Sequence, residues 1–129
     1  MPRGEEGFPR RARLLRAEDF RRVFRSGRRY PAGPFTVIVA ENRLGHPRLG
    51  LAIARRHARR ATARNRLRRV VRESFRRARN RLPAVDIVVT TRPGAAQVPN
   101  HRLFEALGRC WHRLAREAPA RRQNPCARS

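Results

Sequence analysis

Residues 61–81 read ATARNRLRRVVRESFRRARNR, a stretch that combines a helical apolar stripe with nine arginines. At about 100° per residue, one arc of a helix collects Leu67, Val70, Val71, Ser74, Phe75 and Ala78. An adjacent arc collects Arg64, Asn65, Arg68, Arg69, Arg72, Arg76 and Arg79. We therefore predict one long helix, from about Ala61 to Arg81, that packs by its apolar arc and presents its basic arc outward.

Shorter periodic segments flank the long helix. Upstream, Phe20, Val23 and Phe24 recur at helical spacing and predict a helix from about Ala17 to Ser26, which Gly27 ends. Runs rich in β-branched and apolar residues predict strands at 35–40, 48–54 and 86–90. The second strand, RLGLAIA, has large side chains on one face and small ones on the other. Its small face can lie under a packed element or under a ligand.

A single domain accounts for most of the chain. We predict a flexible basic arm at residues 1–13, a folded domain at 14–118 and a disordered basic tail at 119–129. The last helix of the domain is expected to begin at Asn100 and to end at Pro119. Helices and strands in this order predict an α+β sandwich, in which the helices pack on one small sheet.

The charge of the chain restricts its partners. The 129 residues include 33 arginines, no lysine and 9 acidic residues, for a formal net charge of +24. A chain this basic repels itself unless a polyanion neutralises it, and arginine both pairs with phosphate and stacks on bases. A membrane is the rival polyanion, but no segment has the roughly 20 apolar residues needed to span one. The first residues lack the apolar core of a secretion signal, so we expect a cytoplasmic nucleic-acid-binding protein.

Residues that could carry hydrolytic chemistry are scarce. Only Asp19 and Asp86 are aspartates, and no pair of carboxylates has the spacing of a two-metal nuclease site. The four histidines form no recognisable cluster. Cys110 falls on an apolar helical stripe and is expected to be a reduced core thiol, whereas Cys126 lies in the tail. We predict no catalytic residue, no metal ligand and no cofactor bound by the protein itself.

Several runs resemble the protein subunit of bacterial ribonuclease P. RLGLAIARR at 48–56 and ARNRLRRVVRESFR at 63–76 are similar to a strand of that family with a basic end and to its helix that opens on an Arg-Asn-Arg motif. EDFRRVFRSG and DIVVTTR are also similar, and the match covers about residues 13–115. The resemblance implies the order αβββαβα, with one more short strand near 28–31. It also implies a small mixed sheet with a left-handed βαβ crossover around the long helix.

The resemblance also implies a function and its residues. The protein would bind a catalytic RNA and the 5′ leader of precursor tRNA, and would assist RNA-catalysed endonucleolytic removal of the leader. The implied contacts with the catalytic RNA are Arg64, Asn65, Arg66 and Arg69. The implied leader-binding residues are Phe20, Phe24, Ile38, Arg55, Arg56, Arg68 and Arg72. Ile38 stands where some members carry a tyrosine, so the expected contact there is apolar. Mg²⁺ is expected in the RNA active site, with no membrane or protein partner.

Two other functions remain open from the sequence. A ribosomal or other structural RNA-binding protein would share the charge but would not require an aromatic cleft. A protein-only nuclease is disfavoured because the carboxylate site is missing. Phe20 and Phe24 bear on the first alternative: residues at this spacing are most often core, but exposed rings beside arginines stack on single-stranded bases.

Overall fold

The computed structural model describes residues 12–13 and 16–128, with side chains described as far as Glu117. Its helices are α1 (Ala17–Ser26), α2 (Ala61–Ala78) and α3 (Asn100–Arg128). Its strands are β1 (Arg28–Ala32), β2 (Phe35–Glu41), β3 (Arg48–Ala52) and β4 (Val85–Thr91). Short 3₁₀ turns occupy Arg55–His57, Arg79–Arg81 and Ala95–Gln97. The order αβββαβα is confirmed, and β1 is the extra strand that the resemblance implied.

The four strands form one mixed sheet in the order β1-β2-β4-β3. β2 pairs antiparallel with both β1 and β4, whereas β3 runs parallel to β4. Arg13 forms an isolated parallel bridge with Leu49 of β3, so the upstream chain meets this edge of the sheet. α2 connects the parallel neighbours β3 and β4, as the resemblance implied. The left hand of this crossover stays a prediction.

The main core lies between one face of the sheet and helices α2 and α3. The predicted apolar arc of α2 is confirmed, because the buried residues of this helix are Leu67, Val70, Val71, Ser74, Phe75 and Ala78. Trp111 of α3 packs edge-to-face on Phe75, with ring centroids 6.0 Å apart, and its indole nitrogen donates a 2.8 Å hydrogen bond to the Ser74 hydroxyl. Cys110 is buried beside this contact as a free thiol, as predicted.

A smaller cluster on the opposite face of the sheet holds α1. Val23 of α1 packs on Ile38 and Val88, and all three are fully buried. α1 ends at Gly27 as predicted, but in an extended conformation (φ −75°) rather than the left-handed one. The glycine is needed here for space, since a Cβ at this position would lie 2.4 Å from the Val23 carbonyl oxygen.

The predicted domain boundaries need two corrections. Ala12 is 1% exposed and belongs to the main core, and Arg13 bridges to β3, so the fold begins before residue 14. The rest of the predicted arm lies outside the described residues. α3 continues through Pro119 to Arg128 instead of ending at Pro119. A proline removes one backbone donor and can be accommodated within a helix that continues beyond it.

Candidate nucleic-acid interface

The basic arc of α2 lies along the exposed side of the helix. Asn65, Arg69 and Arg72 are exposed, and Arg68 is half-buried with a 3.3 Å hydrogen bond from its guanidinium to the Asn65 side-chain oxygen. Arg64 turns back toward the start of the helix, where it donates to the carbonyl oxygens of residues 58 and 59 at 3.0 and 2.8 Å. It therefore ties the connection from β3 to the first turn of α2.

Arg66 points away from the other arginines, toward the connection between β4 and α3. Its guanidinium donates to the carbonyl oxygens of Ala96 (2.8 Å) and Val98 (3.1 Å) and to the side-chain oxygen of Asn100 (2.6 Å). These three bonds leave two of its five N–H groups for an external acceptor. Arg66 thus joins α2 to the start of α3, and its contact with a catalytic RNA stays a prediction.

Arg72 lies close to two other arginines, Arg13 and Arg68. Although Arg72 as a whole is exposed, partial burial of its guanidinium, together with the neighbouring guanidinium groups of Arg13 and Arg68, lowers its pKa. Among the described residues, no carboxylate is within salt-bridge distance of Arg68 or Arg72. Mutual repulsion of this kind is relieved by an anion such as phosphate.

The next turn of α2 provides a contrast. Glu73 accepts hydrogen bonds from Arg76 at 2.7 and 3.0 Å and from Arg77 at 2.9 Å. Those hydrogen bonds, above all from Arg76, hold the pKa of Glu73 below its usual range despite some burial. The basic arc is therefore divided, and its neutralised part begins one turn beyond Arg72.

Two aromatic rings of α1 border the outer face of the sheet, which is the face opposite the main core. Phe24 is 38% exposed, whereas Phe20 is half-buried against the cluster beneath α1. Both rings keep exposed surface, and their contact with a leader stays a prediction. Ile38, by contrast, is completely buried. The prediction that Ile38 touches the leader is wrong for this structure, because its side chain lies on the face of β2 that Val23 covers.

The small-residue face of β3 is only partly covered. Gly50 is buried and Ala52 packs beside the α1 cluster, but Ala52 and Ala54 both keep exposed surface. Arg55 and Arg56 follow in an exposed 3₁₀ turn. The outer face thus combines small side chains, two aromatic rings and exposed arginines, which is a surface that an extended anionic strand can approach closely.

Sequence reasoning missed the centre of a buried polar network, Asp86. Arg48 donates to both of its carboxylate oxygens at 2.8 Å, Asn42 donates to one of them at 2.8 Å, and Arg22 of α1 donates to the other. Burial alone would raise the pKa of Asp86, but these hydrogen bonds hold it below its usual range. A lone acid in an apolar strand is the signal that indicates such partners.

These features define a class of protein. A small α+β domain that carries both exposed arginines and partly exposed aromatic rings is typical of proteins that bind nucleic acid. The family model described as Ribonuclease P matches residues 8–115. The chain belongs to the ribonuclease P protein family, and its role is therefore in tRNA processing.

Individual relatives agree with this assignment. The ribonuclease P protein component of Serratia proteamaculans is 45% identical over 113 residues, which cover 88% of this chain and 95% of that protein. The Proteus mirabilis protein component is 45% identical over 111 residues, covering 86% and 93%. The solved structure of the Thermotoga maritima RNase P protein in complex with 1-(4-fluorophenyl)-2-thiourea has a TM-score of 0.70 at 34% identity, covering 81% of this chain and 98% of that one.

Within residues 12–13 and 16–128, no helix is both long enough and apolar enough to cross a membrane. Over the same ranges, no group of three His, Cys, Asp or Glu side chains could hold a metal ion.

Proposed function

We propose that the chain binds the catalytic RNA of ribonuclease P together with the single-stranded 5′ leader of precursor tRNA. In doing so it assists endonucleolytic removal of the leader, which gives the mature 5′ end of the tRNA. The observation that supports this most directly is the cationic group of Arg68 and Arg72 beside Arg13. Arg68 and Arg72 have no carboxylate within salt-bridge distance among the described residues, and they lie on a helix that opens on the Arg-Asn-Arg motif.

The two RNA partners are assigned to different parts of the surface. The first turns of α2 face the catalytic RNA through Arg64, Asn65, Arg66 and Arg69. The leader is assigned to Phe20, Phe24, Arg55 and Arg56 on the outer side of the sheet and to Arg68 and Arg72 on α2, which packs on the opposite face. Ile38 supports this surface from beneath α1 and makes no leader contact of its own. With this division, α2 binds the catalytic RNA as a permanent partner and the leader as a transient one.

A single-stranded leader suits both the aromatic rings and the arginines of this surface. Bases freed from a duplex can stack on Phe20 and Phe24, and stacking contributes roughly 1–3 kcal/mol per base. The phosphates are then neutralised by the arginines of α2, which is a contact that any leader sequence can make. Small side chains at Ala52 and Ala54 allow the strand to approach the sheet closely.

The chemistry belongs to the RNA in this proposal. Both aspartates of the chain are engaged by arginines: Asp86 by Arg22 and Arg48, and Asp19 at 3.9 and 3.7 Å from the same two side chains. Carboxylates held in this way are poor ligands for Mg²⁺. We place the Mg²⁺ ions in the active site of the catalytic RNA, with no cofactor on the protein. The holoenzyme would work in the cytoplasm, without a membrane partner.

A reconstitution assay tests the proposed function. The protein is added to catalytic RNA and precursor tRNA at low Mg²⁺ concentration, and 5′ cleavage is followed. We expect strong stimulation, because the protein supplies cations that Mg²⁺ otherwise provides. No stimulation would contradict the proposal. Cleavage by the protein without RNA would instead support a protein-only nuclease, and equal binding of precursor and mature tRNA would favour a structural RNA-binding protein.

A further inference from the structure

The attachment of α1 to the sheet is narrow. The helix has ten residues, no side-chain cap at its start, and one fully buried side chain, Val23. An isolated helix of this length is not stable in water, so contacts with the sheet must hold it. The apolar contact is small, since the buried part of the cluster is Val23, Ile38 and Val88. Yet this helix carries both aromatic rings of the proposed leader site.

A second attachment lies on the other flank of α1. Arg22 donates to the Asp86 carboxylate and, at 3.2 Å, to the carbonyl oxygen of Glu41. At about 100° per residue, Phe20 and Phe24 lie roughly 60° and 100° to one side of Val23, and Arg22 lies roughly 100° to the other. Asp19, on the same flank of α1 as Arg22, also lies 3.7 Å from Arg48 of β3. The sheet therefore contacts the helix along Val23 and again along Arg22 and Asp19. Two lines of attachment fix its rotation, whereas Val23 alone would allow it to roll.

Asp86 is itself held rigidly. It is 0% exposed, and Arg48 and Asn42 bind its two oxygens from the neighbouring edge strand and from the loop after β2. A bidentate arginine–carboxylate pair has a well-defined geometry. The carboxylate therefore gives Arg22 a fixed point that belongs to the sheet.

We propose that Asp86 is a positioning residue for the leader site: through Arg22 it fixes the rotation of α1 and so sets how Phe20 and Phe24 face the outer sheet. The inference rests on the proposed function, because it concerns how that site is held. Asp86 touches neither RNA nor substrate. Its effect reaches the leader through one ion pair and one short helix.

The test uses the protein assembled with its catalytic RNA. Arg22→Gln removes the ion pair between Arg22 and Asp86, while Asp86 keeps Arg48 and Asn42 and Asp19 keeps its contact with Arg48, so the core remains satisfied. Arg43→Gln is the matched control. Arg43 is exposed and lines the same surface pocket as Arg22, and the substitution removes the same charge. The readout is the ratio of affinities for precursor tRNA and mature tRNA. We expect Arg22→Gln to lower this ratio about tenfold, in line with loss of a charged hydrogen bond, and Arg43→Gln to leave it unchanged.

Amide hydrogen exchange of the protein without RNA provides a second readout. Arg22→Gln should speed exchange in residues 17–26 and leave residues 103–114 at the parent rate. A merely structural role would lower the melting temperature while both the ratio and the exchange of α1 kept their parent values, and that result would overturn the inference. If the Asp86→Asn variant folds, it should reproduce the effects of Arg22→Gln. If it does not fold, the result for Arg22→Gln alone decides the inference.

Failure of the proposed function is distinguishable from failure of this inference. If the parent holoenzyme bound precursor and mature tRNA equally, the leader site itself would be refuted. If the parent discriminated and Arg22→Gln discriminated equally well, the leader site would stand and the role of Asp86 would be refuted.

Discussion

The arginines around Asp86 and the arginines along α2 are chemically identical and face different surroundings. Arg22 and Arg48 share a buried carboxylate, and the pKa of Arg48 is raised chiefly by its hydrogen bond to Asp86. Arg68 and Arg72 have other arginines for neighbours, and the pKa of Arg72 is lowered. Charge alone therefore does not mark an RNA contact. Whether carboxylate or carbonyl oxygens of the chain itself bind the guanidinium separates arginines that hold the fold from those that await an anion.

Loss of the Asp86 carboxylate deprives Arg22 and Arg48 of their shared anion. It should lower the free energy of unfolding more than any of the other substitutions below. Asp86→Ala leaves Arg48 partly buried without its anion, and loss of one partner of a buried ion pair costs about 3–5 kcal/mol. Urea denaturation followed by circular dichroism measures this loss. Arg72→Ala is the matched variant, and its unfolding free energy should stay within about 0.5 kcal/mol of the parent. Equal losses in the two variants would remove the distinction between the groups.

Removing an aromatic ring should affect the leader more than the rest of the tRNA. Phe20→Ala is expected to weaken binding of precursor tRNA by roughly 1–3 kcal/mol, the contribution of one stacked base, with a much smaller change for mature tRNA. Filter binding of the assembled holoenzyme measures both affinities. Phe104→Ala is the control, because this half-buried phenylalanine lies on α3. The leader site fails this test if both tRNAs lose equal affinity.

Arg66 should behave as a member of the first group although it belongs to the Arg-Asn-Arg motif. Arg66→Ala removes three hydrogen bonds to the connection between β4 and α3 and should lower the unfolding free energy by about 1–2 kcal/mol. Arg69→Ala, which removes an exposed arginine one turn away, should leave stability near the parent value and weaken binding of the catalytic RNA. The reverse pattern would mean that the intramolecular bonds of Arg66 contribute little.

Lowering the pH should gradually remove the contribution of Asp86 to the free energy of unfolding. The pKa of its carboxyl is lowered in the folded chain, so its stabilising effect is fully present above the unfolded pKa and is lost as the pH falls through the folded value. The difference in unfolding free energy between the parent and Asp86→Asn should be constant from about pH 5 to 7 and should shrink below about pH 4. A difference that grew toward acid would contradict the lowered pKa.

The sequence predicted the local parts of this structure well. The limits of α1 and the six buried residues of α2 follow from helical periodicity, which depends only on neighbours in the chain. The extra strand β1 came from the family resemblance and not from its own composition. The predicted helix end at Pro119 was wrong, because a proline alone does not show whether a helix stops there or continues.

Contacts between distant segments could not be predicted. Arg22 and Asp86 are 64 residues apart, and no periodicity connects them. Ile38 was assigned to the leader from the family resemblance, and the alternation of a strand gives two faces without saying which helix covers each. The inward turn of Arg66 was equally hidden, since its acceptors lie in a loop 30 to 34 residues away. Each of these needed the fold before its role could be assigned.

The most direct test of the division among the arginines is the salt dependence of RNA binding. Affinity of the holoenzyme for precursor tRNA is measured between 50 and 200 mM salt for the parent, Arg72→Ala and Arg22→Gln. Each phosphate contact on a single strand contributes about 0.7 to the slope of log K against log salt concentration. We predict that Arg72→Ala makes the slope shallower by about this amount, whereas Arg22→Gln lowers affinity at an unchanged slope. Equal slopes for the parent and Arg72→Ala, or a shallower slope for Arg22→Gln alone, would contradict the account.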